Sequence, residues 1–347
     1  MELAHDWIED AVRQHQLNVV GPIDQHQLRP WSAVLLAQTN AGNLFFKASA
    51  DVIGFEPALT EAIYRWKPKL ISEVLAYDAE HRWMLKADGG HRLKEVFKDG
   101  LEVENWTRIL RDYADLQITL APHSEELLTL GVRDRRLSVL PDLYRDLLED
   151  RDWLLLDQSQ GISSSEYEIL VDSISTVNEM CDRLSGFNIP PSIHHNDLHD
   201  GNIFVNEDRF LFFDWGDSSV SHPFFSLRTA FVSVENTFGL EEDHPIFETL
   251  ASAYLDTWSD HESMENLWQA FALAKRLWAL SSAIKYWTIF AQLESSREEY
   301  KTAVPGLLKE FLELNPDLGS TYPRNNNKSH PPTTPLSSID LKENSAN

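Results

Sequence analysis

The stretch SIHHNDLHDGNIFVNEDRFLFFDWGD, residues 192–217, contains two short apolar runs on either side of a polar turn. The runs cover residues 203–205 and 210–213, and the turn between them is Asn-Glu-Asp. Short apolar runs that are separated by turn-forming residues are typical of a β-hairpin. The sequence therefore predicts a hairpin at this point, and polar residues collect at its open end.

Two carboxylates bracket the predicted hairpin, with Asp197 before the first run and Asp214 after the second, and Asn202 lies at its mouth. Asp and Asn oxygens are hard ligands that suit Mg²⁺, which proteins hold through one or two carboxylates together with substrate phosphates. A further carboxylate nearby can accept the proton of an attacking hydroxyl. These groups together are those that phosphoryl transfer requires.

The spacing of these residues strengthens the interpretation. His195, Asp197 and then Asn202 follow the order of the kinase catalytic loop, which is His-Arg-Asp, four residues and Asn. Asp-Trp-Gly at 214–216 stands where kinases have Asp-Phe-Gly. Single Asp or Asn residues at strand ends are often only turn formers or helix caps, so the prediction depends on the complete ordered set.

The strings HNDLHDGNIFV and FFDWGD resemble the aminoglycoside phosphotransferase and choline kinase-like family, whose loop is written H-x-D-x-x-x-x-N. The resemblance extends from Lys47 to about residue 300. It implies an α+β, two-lobed, protein-kinase-like fold with a small β-rich N-lobe and a larger, mostly helical C-lobe that hold ATP between them. It also implies that Asp197 is the catalytic base and that Asn202 and Asp214 bind Mg²⁺.

The resemblance further requires a strand lysine that pairs with a helix glutamate in the N-lobe. Lys47 ends an apolar strand pattern and fits this position, although a lone lysine after a strand is usually a solvated surface residue. Glu56 opens a helical pattern, and Glu61 is a rival partner. We favour Glu56, because related sequences carry apolar residues three and seven positions after the glutamate, as Leu59 and Ile63 do here.

The nucleotide-binding loop has a weaker signature. The chain contains neither G-x-G-x-x-G nor a Walker A motif, which excludes P-loop enzymes. The resemblance places the phosphate-covering loop at residues 29–34, where Ser32 would contact phosphate. It places the hinge in WMLKADGG, where the backbone of Leu85 and Ala87 would meet adenine.

Several positions depart from the kinase or family pattern. Asn196 replaces the arginine of the kinase loop, and Ser226 stands where the family usually has an aspartate that braces the loop, so this support is expected to be weaker or rerouted. His195 is expected to hold the loop by hydrogen bonds. His199 is equally consistent with facing phosphate and with packing in the interior.

The rest of the chain divides by its patterning. Residues 18–88 are strand-rich, with strands predicted at 32–39 and 43–49, a helix at 55–66 and a further strand pair before Gly90. Amphipathic helical patterns follow at 101–120, 137–148, 167–184, 245–258 and 264–292. We predict an N-lobe at 1–90, a C-lobe at 91–315 and a disordered tail at 316–347, which is rich in Pro, Ser, Thr and Asn.

Composition limits the function. The net charge of −25 argues against a nucleic-acid partner and slightly favours a cationic acceptor, although such a charge more often serves solubility alone. A single cysteine, the absence of a signal-peptide pattern and charges within the apolar segment 271–293 lead us to expect a cytoplasmic protein without a membrane span. The expected activity is phosphorylation of a hydroxyl on a small molecule such as an aminoglycoside, amino alcohol or sugar. A non-catalytic nucleotide-binding module is the alternative, and the oligomeric state is left open.

Overall fold

The computed structural model describes residues 2–97 and 100–318. Its N-terminal region is a five-stranded antiparallel sheet in the order β1-β2-β3-β5-β4. The strands are β1 (Val19–Arg29), β2 (Ser32–Thr39), β3 (Gly42–Ser49), β4 (Val74–Asp78) and β5 (Trp83–Ala87). Helix α1 (Glu2–Gln14) precedes the sheet, and a 3-10 turn (Asp51–Ile53) and helix α2 (Glu56–Trp66) follow β3.

The two faces of this sheet have different partners because side chains alternate along a strand. On β3, Leu44 and Phe46 are buried in one cluster with Ile8 and Val12 of α1. Residues 45 and 47 point to the opposite face, which looks toward the C-terminal region. The period of two therefore places Lys47 in the cleft between the two regions.

The C-terminal region is mainly helical and carries two small three-stranded sheets in the orders β10-β9-β6 and β7-β11-β8. Its strands are β6 (His91–Arg92), β7 (Arg133–Asp134), β8 (Ser192–His194), β9 (Ile203–Asn206), β10 (Arg209–Phe212) and β11 (Ser219–Ser221). Its helices are α3 (Leu93–Val96), α4 (Val103–Leu120), α5 (Ser124–Thr129), α6 (Leu140–Glu149), α7 (Arg151–Leu154), α8 (Ser164–Asp172), α9 (Ile174–Ser185), α10 (Phe225–Phe238), α11 (Ile246–Asp256), α12 (Met264–Phe290), α13 (Glu294–Tyr300) and α14 (Ala303–Leu314). Short 3-10 turns lie at Ala121–His123, Asp200–Asn202 and Trp215–Asp217.

Helix α12 runs through the middle of the C-terminal region, and most of its length is buried among the other helices. A helix that is apolar on most sides belongs in the core of a large domain. Among the residues that the structure describes, no helix has the length and apolar character that a membrane crossing requires.

The predicted α+β, two-lobed fold is confirmed, and β9 and β10 form the predicted hairpin. The helical pattern at 167–184 forms two helices, α8 and α9, because the chain breaks at Ser173. The hydroxyl of Ser173 donates to Leu170 O at 2.8 Å, and a side chain that bonds to its own backbone competes with the helix. Helices α10 and α14 were not among the predicted segments.

The ordered chain continues beyond residue 315. Pro316–Leu318 form a further 3-10 turn, and Asp317 accepts a hydrogen bond from Arg276 at 2.8 Å. The tail predicted from residue 316 therefore begins with three ordered residues. The remainder of that prediction, residues 319–347, lies outside the described residues.

Candidate active site

Lys47 forms two ion pairs that join the N-terminal sheet to the C-terminal region. Its Nζ lies 2.7 Å from Glu56 Oε1 and 2.7 Å from Asp214 Oδ1, and Ser49 donates to the second Glu56 oxygen at 3.0 Å. Burial alone would lower the pKa of Lys47, but the Asp214 and Glu56 carboxylates outweigh it and raise that pKa. Of the two glutamates considered from sequence, the structure brings Glu56 to Lys47.

The loop between β8 and β9 holds Asp197 and Asn202 together. The side-chain amide of Asn202 donates to Asp197 O at 2.9 Å and to Asp197 Oδ2 at 2.8 Å. The opposite atom, Asn202 Oδ1, is buried and has no hydrogen-bond partner in the described part of the chain. A buried acceptor without a partner is costly, so this oxygen is suited to a ligand that is absent from the bare chain.

The carboxylates of this site stay ionised at neutral pH. Burial would raise the pKa of Asp197, but nearby His199 and Lys285 lower it below its ordinary value. Burial also opposes ionisation of Asp214, and Lys47 lowers the pKa of that group. Asp214 has a φ of 65°, a left-handed conformation that is uncommon outside glycine and that is often found at functional positions.

His199 faces Asp197, which the sequence left undecided. Its Nε2 lies 3.4 Å from Asp197 Oδ2, and its Nδ1 accepts the Gly201 N–H at 2.9 Å. Because Nδ1 accepts, the ring donates from Nε2 towards Asp197. Burial would lower the pKa of His199, but the Asp197 carboxylate outweighs it and raises that pKa. A Cβ on residue 201 would lie 2.5 Å from the imidazole Cε1, so this arrangement requires a glycine.

The expected structural role of His195 fits its position, where Nε2 lies 2.9 Å from Phe213 O. Ser226 takes part in the support beneath the loop. Its hydroxyl lies 2.7 Å from His194 Nδ1, 3.2 Å from Tyr113 Oη and 3.2 Å from Gln117 Nε2. The position where the family has an aspartate is thus braced through a hydroxyl network.

The residues predicted to face the nucleotide lie in and beside the N-terminal sheet. Ser32 begins β2 and is buried at the edge of the turn, and its phosphate contact stays a prediction. Leu85 pairs with Phe46 on one side and Ala76 on the other, so its backbone lies within the sheet. The Ala87 N–H donates to Glu73 O at 2.9 Å, which removes it as a donor to adenine.

The turn between β1 and β2 is anchored to the C-terminal region. Trp31 is buried at its tip, and its ring centroid lies 6.4 Å from that of Phe290 and 6.4 Å from that of Tyr300. Aromatic pairs at this separation and in edge-on orientation are favourable. The predicted phosphate-covering loop is therefore packed against the C-terminal region through Trp31.

Aromatic residues that the sequence interpretation missed line the cleft. Phe45 lies on the Lys47 face of β3, and Phe204 of β9 stacks on Phe213 with ring centroids 3.8 Å apart. A Cβ on Gly89 would lie 2.1 Å from the Phe204 ring, so the end of the hinge packs closely on it. Phe45 could have been found from sequence, because residues two apart on a strand share a face and Phe45 is two residues before Lys47. Phe204 could be found only once the position of the hairpin next to the hinge was known.

A cavity of about 270 Å³ opens beside Asp197. Its walls come from α3, α10, α12 and α14 and include Lys94, Asp200 and Lys285. Lys285 was seen in sequence only as a charge in an apolar helix. Its ammonium lies 3.2 Å from Asn196 O and 3.5 Å from Asp217 Oδ2, against the back of the loop.

The oxygen atoms at this site suit a metal ion whose coordination shell is completed by substrate phosphates. Within residues 2–97 and 100–318, no group of three His, Cys, Asp or Glu side chains could hold a metal by itself. Asn202 Oδ1 without a partner and the Asp214 carboxylate are hard oxygen ligands. Mg²⁺ commonly takes one or two such ligands and fills the remaining positions with phosphate and water.

Comparisons with solved structures agree with this architecture. A choline/ethanolamine kinase family protein from Mesorhizobium loti is 16% identical, with 85% of this chain and 88% of that chain covered and a TM-score of 0.56. The GDP and kanamycin complex of APH(2")-IIIa is 13% identical, with 90% and 99% covered and a TM-score of 0.55. A macrolide 2'-phosphotransferase from Brachybacterium faecium is 16% identical, with 86% and 98% covered and a TM-score of 0.53. At these identities the likeness shows the fold.

No curated protein sequence matches the chain. The family comparison is decisive. Residues 68–267, which include the Asp197 loop and Asp214, match the model of the phosphotransferase enzyme family. Because this match covers more than half of the chain, the protein belongs to the phosphotransferase enzyme family, as the resemblance of its loop sequences had predicted.

Proposed function

We propose that this small-molecule phosphotransferase moves the γ-phosphoryl group of ATP to a hydroxyl of a small molecule and requires Mg²⁺. The observation that carries the proposal is the pairing of Asp197 with Asn202. The Asn202 amide nitrogen donates to the Asp197 carboxylate, and the amide oxygen of the same side chain is buried without a partner among the described residues. A positioned base beside a metal-ligand oxygen is the arrangement that phosphoryl transfer needs.

Asn202 and Asp214 are the residues that would hold Mg²⁺. The bound ion would neutralise charge on the nucleotide phosphates. Lys47 would contact the α- and β-phosphates, and Glu56 orients it from a fully buried position. Asp214 accepts from the same ammonium, so Lys47 positions both Asp214, the proposed metal ligand, and helix α2, which carries Glu56.

Asp197 would act on the acceptor. Its Oδ2 faces Asn202 and His199, so Oδ1 remains to accept the proton of the acceptor hydroxyl. The low pKa of Asp197 keeps it ionised, which favours orienting the hydroxyl in the ground state and taking the proton late in the reaction. Positioning and electrostatic stabilisation supply most of the expected rate.

The nucleobase would lie between Phe45 and Phe204, which belong to opposite walls of the cleft. Both are partly exposed, as residues that stack on a ligand must be. Since the Ala87 N–H is used within the sheet, we infer that the purine edge meets the backbone nearer Gly89.

The proposal is tested by ADP release from ATP in the presence and absence of Mg²⁺, first with water as acceptor and then with added hydroxyl compounds. Mg²⁺-dependent ADP release is the expected result. ATP binding without any turnover under these conditions would instead support the alternative, a non-catalytic nucleotide-binding module.

His199 is expected to act by positioning Asp197. A glutamine can place an amide N–H near Nε2, whereas an asparagine can only reproduce the acceptor at Nδ1. His199→Gln should therefore keep most of kcat, and His199→Asn should lose about tenfold to a hundredfold, because small displacements of a catalytic group are costly. Steady-state kinetics with thermal unfolding as a control measures this, and equal kcat values in the two variants would contradict the assignment.

A further inference from the structure

The cavity beside Asp197 is compact. Its volume of about 270 Å³ lies just below the range of roughly 300–1,000 Å³ that is usual for sites of drug-sized ligands. Hydroxyl and amide side chains line it beside apolar residues such as Val232 and Leu307, and the polar ones include Ser233, Asn236, Thr237 and Ser282. This wall suits a ligand of about one ring that offers several hydroxyl groups.

Two aromatic rings line the cavity, and the chain's own cations already cover a face of each. The ammonium of Lys285 lies 4.3 Å from the Tyr286 ring centroid, and the guanidinium of Arg228 lies 5.2 Å from that of Trp278. Buried carboxylates fix both cations, with Glu235 2.8 Å from Arg228 and Asp217 3.5 Å from Lys285. A cationic ligand needs a free ring face, and a cation on one face weakens the attraction at the other.

The charges that remain at the wall do not favour a cation either. The two carboxylates of the wall, Asp197 and Asp200, are balanced by the two ammonium groups of Lys94 and Lys285, so the wall has no surplus of negative charge. Lys94 of α3 adds a positive charge to the wall, and it has no hydrogen bond or ion pair within residues 2–97 and 100–318. The surplus of negative charge in the whole chain is therefore not concentrated in this cavity.

We propose that the acceptor is a compact, uncharged polyhydroxy compound of the sugar or polyol class, and that the positive charge of Lys94 weakens the binding of cationic acceptors. This inference rests on the proposed phosphotransferase function and narrows its acceptor. It departs from the cationic preference that net charge alone suggested.

The experiment measures the binding of two compact cations, ethanolamine and choline, by calorimetry in the presence of Mg²⁺ and a non-hydrolysable ATP analogue. Wild type is compared with Lys94→Glu and with Lys69→Glu. Lys69→Glu is the control, because it makes the same change of charge at an exposed lysine outside the cavity. Wild type should bind both cations only in the millimolar range. Lys94→Glu should bind choline at least about tenfold more tightly, and Lys69→Glu should match wild type.

Wild-type dissociation constants below about 100 μM for either cation would overturn the proposal, as would an unchanged affinity in Lys94→Glu. ADP release is also measured with a panel of neutral monosaccharides and polyols. The rate with at least one of these compounds should exceed the rate with either cation. Mg²⁺-dependent ATP hydrolysis with water, measured on the same preparations, tests the proposed function separately. Loss of that hydrolysis would refute the phosphotransferase function while the cation-binding results still decide the character of the cavity.

Discussion

Replacing Asp197 by Asn is expected to lower kcat about 10²–10⁴-fold while the protein remains folded. The substitution keeps the size of the side chain, and Asn202 can still donate to its oxygen. What is lost is the charge that orients the acceptor hydroxyl and accepts its proton. The carboxylate has a pKa below its ordinary value, so in wild type this group should give no acidic limb in kcat/KM between about pH 5 and 8.

The measurement is ADP release under saturating MgATP, with circular dichroism and thermal unfolding to establish the fold. Asp208→Asn is the matched control, because Asp208 lies in the exposed turn of the same hairpin. Wild-type turnover in the Asp197 variant, or an equal loss in the Asp208 variant, would contradict the assignment of Asp197 as the base.

Replacing Lys47 by Met is expected to damage both catalysis and stability. The variant loses a cation at the phosphates, and kcat/KM should fall roughly 10²–10³-fold, as for other fixed electrostatic groups. It also leaves the Glu56 and Asp214 carboxylates without their cation. Removing one partner of a buried ion pair costs about 3–5 kcal/mol in the free energy of unfolding.

The pH dependence of this loss follows from Asp214. Lys47 lowers the pKa of Asp214 in the folded protein. The ion pair therefore stabilises the fold at pH values above the pKa of Asp214 in the unfolded chain, and this stabilisation is lost as the pH falls through the pKa of Asp214 in the folded protein. The stability difference between wild type and Lys47→Met should therefore be largest at neutral pH and should narrow in acid. Urea unfolding at several pH values measures it.

Two variants separate the causes of the Lys47 effect. Adding Glu56→Gln to Lys47→Met removes one of the stranded carboxylates and should restore part of the stability without restoring activity. Lys69→Met removes an exposed lysine and should change neither property. A Lys47 variant with wild-type stability at all pH values would contradict the ion-pair account.

The catalytic loop could be predicted from sequence because its chemistry is local. Asp197 and Asn202 lie five residues apart, and a single loop between two strands brings them together. Glu56 was favoured over Glu61 because related sequences carry apolar residues three and seven positions later, and here these are Leu59 and Ile63, both buried. In each case a short stretch of chain contained the whole signal.

The proposed nucleobase site and the cavity beside Asp197 were less predictable because they depend on long-range contacts. The Ala87 N–H is used by Glu73, a partner that is set by the packing of β4 against β5. Lys285 reaches the loop from a helix almost ninety residues later in the chain. Neither relation leaves a pattern in the neighbouring residues, so only the fold shows them.

The Ser226 position shows a different limit. A serine where an aspartate is expected predicts weaker support, but the structure surrounds its hydroxyl with Tyr113, Gln117 and His194. One residue of the sequence cannot indicate that three partners from two other elements compensate for its shorter side chain.

The central claim is that Asn202 and Asp214 hold Mg²⁺ and ATP together, and stabilisation by ligand tests it most directly. Thermal unfolding of wild type and of Asp214→Asn should be followed while ATP is titrated with Mg²⁺ or with EDTA. The account predicts stabilisation of wild type that requires Mg²⁺, approaching about 2.7 kcal/mol at a hundredfold excess over Kd, and its loss in the variant. Absence of stabilisation in wild type, or equal stabilisation of both proteins without Mg²⁺, would contradict the account.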